Sequence, residues 1–173
     1  CVMPRDVKYG TNAERVVVPV DQIVPLPEPL DFVAAAGFPV SGVTAWKALV
    51  EVAFVQSGMK VLIHGGAGGV GCLAIQLAKH LGAEVFTTCS AANTEYVTHL
   101  GADHVIAYDE VDFAGAMSGL DVVFDSLGGE VHRKSYEVLA PGGMLVYVIA
   151  GPVEDLAADY GVKRQLAVVD KIG

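Results

Sequence analysis

The sequence predicts an α/β fold: a doubly wound parallel sheet with helices on both faces. From Lys60 onward, short apolar segments alternate with segments of helical periodicity, which is typical of parallel sheets built from βαβ units. The strand-like segments are apolar throughout rather than at every second residue, as expected of strands that helices cover on both sides. Hydrophobic residues make up 53% of the chain, so the sequence can supply a dense core.

The first thirty residues differ from the rest of the chain. Residues 15–20 predict a short strand, and Pro25, Pro27 and Pro29 then prevent a regular helix or a central strand. We therefore expect residues 1–30 to be the tail of another unit followed by a linker. Residues 31–173 then form the main domain.

Two helices are expected before the alternation starts. Asp31 predicts an N-cap for a short helix that runs through Ala36. Residues 43–56 place their apolar side chains at helical spacing, and Ser57 and Gly58 end this second helix.

The alternation itself predicts five strands and four helices. The expected strands are residues 60–64, 84–89, 104–108, 121–125 and 144–150. The expected helices are residues 70–81, 93–100, 113–117 and 131–139. Residues 153–173 are compatible with a helix and one further strand, and the pattern does not decide their structure.

One motif in this region indicates a ligand-binding function. Residues 66–71 read GAGGVG and fit GxGxxG between a predicted strand and a predicted helix, which is the context that gives the motif its meaning. In this interpretation Gly66 permits the tight turn, Gly68 lets the backbone approach a diphosphate, and Gly71 allows close contact between helix and strand. The helix N-terminus offers unpaired amide groups to the phosphates. The sequence therefore predicts a Rossmann-type dinucleotide-binding domain, with a flexible, ligand-free glycine loop as the alternative.

The end of the second strand bears on the choice of coenzyme. NAD sites usually place a carboxylate there, and that charge would repel the 2′-phosphate of NADP. No carboxylate lies between Glu84 and Glu95, whereas Ser90 and Asn93 can donate hydrogen bonds. We therefore expect NADPH in preference to NADH, although the same stretch has no Arg or Lys.

Charge and the remaining polar residues disfavour several other functions. The formal net charge of −9 would repel a nucleic acid. The five histidines lack metal-ligand spacing, so we expect solvated or capping roles and no metal site. Cys72 and Cys89 are expected to pack, and three cysteines without a CxxC pair indicate a reducing, cytoplasmic location. Apolar runs such as residues 16–20 are far too short to span a membrane.

Several long motifs occur in one order along the chain. They are AERVVVP at 13–19, AAAGFPVSGVTAW at 34–46, VLIHGGAGGVG at 61–71, LGADHVI at 100–106 and DSLGG at 125–129. On these motifs the sequence resembles the medium-chain dehydrogenase/reductase superfamily, which includes the alcohol dehydrogenases. Within it the sequence is most similar to the zinc-independent quinone oxidoreductases of the zeta-crystallin branch.

The resemblance implies an architecture and a set of coenzyme contacts. A GroES-like β domain precedes the Rossmann domain in this family, so residues 1–30 would be its remnant, and the chain would end before the last strands of the sheet. Gly37 stands where zinc-dependent relatives have a cysteine ligand, which implies no catalytic zinc. The motif and the resemblance together predict these coenzyme-binding residues: Thr44, Gly66, Gly68, Gly69, Val70, Gly71, Ser90, Asn93, Tyr108, Leu127, Val148, Ile149 and Ala150.

The resemblance also implies an activity. We expect NADPH-dependent hydride transfer to a quinone or an enone-type double bond, without zinc, by a homodimer. No catalytic acid or base is identified in this chain, because the substrate-side residues are expected in the preceding domain. Two alternatives stay open, an enoyl-thioester reductase of the same family and a coenzyme-binding scaffold without turnover. A short-chain dehydrogenase is disfavoured, since no tyrosine has a lysine four residues later.

Overall fold

The computed structural model describes residues 13–20, 23–149 and 151–169. Its strands are β1 (Lys60–Ile63), β2 (Glu84–Cys89), β3 (His104–Ala107), β4 (Leu120–Asp125), β5 (Leu139–Tyr147) and β6 (Lys163–Leu166). All pair in parallel in one sheet of order β3-β2-β1-β4-β5-β6, which is the order of a Rossmann sheet. The predicted fold class is therefore confirmed.

Helices connect and flank these strands. They are α1 (Phe32–Trp46), α2 (Gly71–His80), α3 (Thr94–His99), α4 (Phe113–Ala116), α5 (Gly129–Val138) and α6 (Ala157–Tyr160). A π-helical segment, Lys47–Val52, continues α1, and a 3-10 turn, Ala91–Asn93, precedes α3. Most of the predicted elements are present with ends shifted by a few residues.

The sheet has a hydrophobic cluster on each face. Val61 and Ile63 belong to the cluster that α1 and α2 cover. Leu62, between them, belongs to the cluster that contains Phe113 and Tyr136 from α4 and α5. Successive strand residues point to opposite faces, so an all-apolar strand such as β1 stabilises both layers at once.

The direction of winding reverses at β1. The chain passes from β1 through α2 to β2 and β3 on one side, and then returns to place β4 on the other side of β1. Helices on either side of such a reversal diverge and leave a crevice beyond the carboxyl ends of the strands. The glycine-rich turn follows β1, so it lies at this crevice.

The C-terminal part of the chain forms a short helix and a sixth strand. The periodicity of residues 153–173 does not decide their structure, and the resemblance implies a sheet that lacks its last strands. The observed β6 pairs with β5 from Met144↔Lys163 to Tyr147↔Leu166, so these residues add a sixth strand to the sheet. A charged edge strand is difficult to recognise from periodicity, because this one reads Lys-Arg-Gln-Leu.

The expectation of two separate N-terminal helices is wrong. One helix starts after Asp31, whose carboxylate accepts the Ala34 amide at 2.7 Å as predicted, and it runs past Pro39 to Trp46. Proline costs a helix one hydrogen bond. Buried side chains on the far side of Pro39, among them Thr44 and Ala45, supply packing against the rest of the domain that offsets this loss.

The strand expected at residues 15–20 does not form. Val17 is 95% exposed and Val20 is 85% exposed, and none of the residues 13–20 pairs in the sheet. A β-branched run adopts a strand only where a neighbouring strand accepts its backbone hydrogen bonds. The described part of the chain offers no such neighbour to these valines.

Strand β5 begins and ends earlier than predicted. It starts at Leu139 rather than Met144, because Leu139 pairs with Leu120 of β4 before a register shift that places Met144 opposite Val122. It ends at Tyr147. Val148 and Ile149 therefore follow the strand instead of ending it.

One segment is long and apolar enough to cross a membrane by length and composition alone. It is Phe32–Val52, the combined α1 and π-helical segment, and a buried helix of a soluble fold passes the same test. Its residues Ala45, Ala48, Leu49 and Val52 lie in the core cluster with strand residues. These residues pack in the core, whereas Phe32 and Val33 at the start of the segment are 85% and 84% exposed.

Candidate coenzyme site

An open cleft of about 570 Å³ lies beyond the carboxyl ends of β1, β2 and β4. This is the crevice expected at the reversal of the sheet. Three segments form it: the turn after β1, the end of β2 with the following 3-10 turn, and the loop after β4. The lining residues are Gly65, Ala67, Gly68, Gly69, Val70, Gly71, Cys89, Ser90, Asn93, Tyr108, Ser126 and Leu127.

The glycine-rich turn is tightly packed at two of its positions. A Cβ on Gly66 would overlap the Thr87 hydroxyl and lie 2.8 Å from Ile75 Cδ1, and a Cβ on Gly71 would overlap the Gly65 carbonyl. The close contact predicted for Gly71 is present. The positive φ of the turn, 68°, belongs to Gly65, so Gly66 is required by contact with β2 and α2 rather than by the turn angle.

Two adjacent amides just before α2 are available to a ligand. The N–H groups of Gly69 and Val70 donate no hydrogen bond within the described chain, whereas Gly68 N donates to Gly65 O and Cys72 N to Gly68 O, each at 2.9 Å. Both free amides belong to cleft-lining residues just before the first residue of α2. Amides at a helix N-terminus favour an anion such as a diphosphate.

The end of β2 contributes polar side chains to the same cleft. Asn93 Nδ2 donates to Ser90 Oγ at 2.9 Å, so these two predicted residues form one unit. The Asp109 carboxylate accepts the Ala91 amide at 2.9 Å, which brings an acidic group from the end of β3 beside this unit. The stretch between Glu84 and Glu95 has no carboxylate in the sequence, but Asp109 from the neighbouring strand end supplies one beside it.

The loop after β4 is held by a buried carboxylate. Asp125 Oδ1 accepts the amides of Leu127 and Gly128 at 2.8 and 3.0 Å. Asp125 Oδ2 lies 2.8 Å from His132 Nδ1. This arrangement fixes the backbone that presents Leu127 to the cleft, where its side chain is 53% exposed.

The structure brings most, but not all, of the predicted residues to the cleft. Thr44 is buried in α1, and its hydroxyl donates to Val40 O at 2.7 Å. Val148 packs against the core, and Ile149 contacts the position of Gly128 behind the loop. Neither these three residues nor Gly66 line the cleft, and Ala150 lies outside the described residues.

The expectation of solvated or capping histidines is wrong for His64 and His132. Each is 1% exposed. His64 lies 3.1 Å from both Thr88 Oγ1 and Ser135 Oγ, and desolvation lowers its pKa to about 4, although the charge of Asp125 opposes that shift. His64 directly precedes the glycine-rich turn in the sequence, which is the only available signal that it supports the site.

Cys89 packs in the core, as predicted, whereas Cys72 on α2 is partly exposed. Cys89 is 2% exposed, and burial raises the pKa of its thiol while a hydrogen bond with Thr94 lowers it. A thiol with a raised pKa stays protonated at neutral pH and is a poor nucleophile. Cys72 Sγ lies 3.4 Å from the Gly69 carbonyl oxygen.

Two further observations bear on the chemistry of this site. Within residues 13–20, 23–149 and 151–169, no group of three or more His, Cys, Asp or Glu side chains could hold a metal ion. A separate groove of about 600 Å³ lies between α1 and α2, lined by apolar side chains that include Phe38, Trp46 and Leu77. The groove is away from the strand ends, so it is not part of the coenzyme cleft.

Over most of its length the chain is similar to short parts of polyketide synthase proteins. It is 45% identical over 141 residues to the spectinabilin polyketide synthase system protein NorB of Streptomyces orinoci, covering 78% of this chain and 6% of that protein. It is 40% identical over 132 residues to the polyketide synthase GfsB of Streptomyces halstedii, covering 75% of this chain and 2% of that protein.

Solved structures of oxidoreductases have a similar fold. The quinone oxidoreductase from Coxiella burnetii matches with a TM-score of 0.85 and 38% identity over 91% of this chain and 50% of its own. The CurK enoyl reductase matches with a TM-score of 0.79 and 35% identity over 85% of this chain and 47% of its own. The chain thus spans about half the length of these solved relatives.

A family model described as zinc-binding dehydrogenase matches residues 69–169, which include part of the glycine-rich turn and the strands that follow it. With the solved oxidoreductases, this match shows that the chain belongs to the zinc-binding dehydrogenase family of the medium-chain dehydrogenase/reductase superfamily.

Proposed function

We propose that the chain is the nucleotide-binding part of an NADPH-dependent reductase that transfers hydride to an activated carbon–carbon double bond or a quinone without zinc. The observation that carries the proposal is the pair of unbonded amides of Gly69 and Val70 at the start of α2, in a cleft that also contains Ser90 and Asn93. The cleft is large enough for an extended ligand, and small-molecule sites of about 300–1,000 Å³ are common.

The residues of this chain bind and orient the coenzyme. The two amides and the positive end of α2 stabilise the diphosphate. Ser90 and Asn93 donate to the 2′-phosphate, and the Leu127 side chain covers apolar surface of the dinucleotide. When bound, the nicotinamide supplies the hydride, and the protein supplies position and a water-poor environment. Thr44, Val148 and Ile149 act indirectly here, since they do not line the cleft.

Among acceptors, the relatives favour an enoyl thioester. The CurK protein is named an enoyl reductase, and the other two relatives are named polyketide synthase proteins. They are 35%, 45% and 40% identical to this chain over 85%, 78% and 75% of its length. Quinone reduction stays a second candidate because the Coxiella burnetii quinone oxidoreductase has a TM-score of 0.85.

A fluorescence titration of the intact protein with NADPH and NADH tests the coenzyme. We expect the Kd of NADPH to be lower than that of NADH, because no carboxylate follows β2 in the sequence up to Glu95. Equal dissociation constants would refute the preference, and they would point to Asp109 as a carboxylate that opposes the 2′-phosphate.

Turnover assays with the intact protein then test the acceptor. We expect NADPH oxidation with crotonyl-N-acetylcysteamine, a small enoyl thioester, and slower oxidation with 1,4-benzoquinone. The reverse order would favour the quinone reductase. No oxidation with either acceptor, with coenzyme binding retained, would favour a scaffold without turnover.

The remaining parts of the proposal concern metal, assembly and location. The resemblance implies a site without catalytic zinc, so metal analysis of the active protein should find less than one zinc per chain. We propose a homodimer through the edge strand β6, where Leu166 and Val168 are 38% and 53% exposed, and a cytoplasmic location. Light scattering that gives a monomer mass would refute the dimer.

A further inference from the structure

Three buried side chains form a continuous hydrogen-bonded relay beneath the glycine-rich turn. Thr88 Oγ1 lies 3.2 Å from Gly65 N and 3.1 Å from His64 Nδ1. His64 Nε2 lies 3.1 Å from Ser135 Oγ, which lies 2.6 Å from Val131 O. Thr88, His64 and Ser135 are at most 2% exposed, so the side-chain polar atoms must satisfy one another.

The chemistry of the donors fixes the direction of every bond. A carbonyl oxygen only accepts, so the Ser135 hydroxyl donates to Val131 O and its oxygen accepts from His64 Nε2–H. A neutral imidazole carries one N–H, so Nδ1 is an acceptor and the Thr88 hydroxyl donates to it. The oxygen of Thr88 then accepts the amide of Gly65, and every polar side-chain atom of the relay has a partner.

These hydrogen-bond directions require that the His64 ring is neutral. Burial lowers the pKa of His64 to about 4 against the opposing charge of Asp125 on β4, so the ring is neutral at pH 7. Phe113 contacts the ring edge-on at a centroid distance of 4.6 Å and offers no charge. The lowered pKa therefore supports the neutral ring that these hydrogen-bond directions require.

We propose that Thr88 is a positioning residue for the coenzyme: held by His64 and Ser135, it fixes the glycine-rich turn whose amides bind the diphosphate. Thr88 contacts the turn twice, since its hydroxyl oxygen accepts Gly65 N–H and its carbonyl oxygen accepts Gly66 N–H at 2.9 Å. The relay thus links α5 to the start of the turn through two strand ends. This inference rests on the proposed function.

The relay predicts a selective loss of affinity. Thr88→Val keeps the shape of the side chain and removes the hydroxyl, whereas Thr88→Ser keeps the hydroxyl. In the intact protein, calorimetry should give a Kd about tenfold higher for 2′-phospho-ADP-ribose in Thr88→Val. The Kd of 2′-AMP, which lacks the diphosphate, should change by less than about twofold, and Thr88→Ser should bind both ligands nearly as the wild type does.

The ligand pair separates positioning from general destabilisation. A variant that merely loosened the fold would weaken both ligands alike, and that result would overturn the proposal. So would an unchanged Kd for 2′-phospho-ADP-ribose in Thr88→Val. Thr98→Val provides the matched control, because the Thr98 hydroxyl donates only to Thr94 O on the exposed helix α3, and we expect no change for either ligand.

Two further outcomes are decisive. If Thr88→Val does not fold, Ser135→Ala tests the far end of the relay and should raise the Kd of 2′-phospho-ADP-ribose about threefold with 2′-AMP unaffected; an unchanged Kd would overturn the proposal. If wild-type protein binds neither 2′-phospho-ADP-ribose nor NADPH, the proposed function fails, and the relay fails with it. Wild-type binding with an insensitive Thr88→Val refutes the relay alone.

Discussion

Two glycines in the same turn have very different surroundings. A Cβ at Gly71 would overlap the carbonyl oxygen of Gly65 and lie 2.8 Å from its carbon, and both are backbone atoms. A Cβ at Gly69 would meet only Ser41 Oγ at 3.5 Å, an ordinary contact. We expect Gly71→Ala to lower the free energy of unfolding by about 3 kcal/mol or more, because backbone atoms must move, and Gly69→Ala to change it by less than about 0.5 kcal/mol.

Urea denaturation followed by circular dichroism measures both variants under the same conditions. The two variants can be compared directly, since each adds one methyl group and the two positions are only two residues apart in the same turn. A Gly71→Ala protein as stable as Gly69→Ala would show that the turn and β1 can separate without cost. The close contact would then not explain why glycine occupies position 71.

Asn93 is the residue at which coenzyme preference can be shifted. It contacts Ser90 and lies near the Asp109 carboxylate through the 3-10 turn. Asn93→Lys places a positive charge beside the proposed 2′-phosphate site, and an exposed ion pair contributes about 1 kcal/mol. We therefore expect the ratio of NADH to NADPH dissociation constants to rise about fivefold.

Asn93→Gln is the control for the added length of the side chain. Titrations at low salt and at about 0.5 M salt should show the gain of Asn93→Lys falling with salt, because the ion pair is exposed and screened. An equal gain for NADH, or a gain insensitive to salt, would contradict a direct contact with the 2′-phosphate.

At the residue scale, the site could be predicted where a short motif determines the backbone geometry. The glycines of the turn that line the cleft, together with Ser90, Asn93, Tyr108 and Leu127, lie there as expected. The buried relay could not be predicted, because His64 and Ser135 are 71 positions apart in sequence. Their spacing does not indicate that either side chain is buried. Polar partners that meet only through the stacking of α5 on the sheet are visible only in three dimensions.

At the scale of elements, α1 owes its start to a single side chain. Asp31 Oδ1 accepts the Ala34 amide, and the first turn of α1 contains no acidic residue. Asp31→Ala should lower the free energy of unfolding by about 1 kcal/mol, because a helix amide loses its cap. Asp31→Asn keeps the acceptor oxygen and should lie within a few tenths of a kcal/mol of the wild type.

Thermal and urea unfolding of the two Asp31 variants check this prediction. A loss in Asp31→Asn equal to that in Asp31→Ala would mean that the charge of Asp31, acting on the helix dipole, matters more than the cap. No loss in either would mean that packing of the later turns alone sets where α1 begins.

Periodicity predicted the elements of the sheet better than those before it. Strands β1 to β4 have apolar residues buried on both faces, so their pattern is strong and local. Local rules predict that a helix ends near Pro39. Helix α1 continues past Pro39 because the packing of later residues such as Ala45 outweighs those local preferences. The valines at 16–18 show the opposite case, in which a strong strand preference finds no sheet to join within the described residues.

At the scale of the whole molecule, both sides of the coenzyme cleft depend on helix α5. Ser135 supports the glycine-rich turn through His64, and His132 supports the loop after β4 through Asp125. Tyr136 of the same helix donates to Glu154 O at 3.2 Å, which ties α5 to the segment that leads to β6. One amphipathic helix therefore aligns two loops that are distant in sequence.

The stability of the molecule should depend on pH through His64. Its pKa is about 4 in the folded protein against 6.5 for an unperturbed histidine, so between these values the unfolded chain takes up a proton that the folded chain does not. Stability is therefore complete above about pH 6.5, decreases as pH falls towards about 4, and loses about 3 kcal/mol in total. Urea unfolding at about pH 7, 5.5 and 4.5 measures this slope. His64→Gln removes the titrating ring and should flatten the profile across this range, whereas equal slopes in variant and wild type would show that other groups cause the loss.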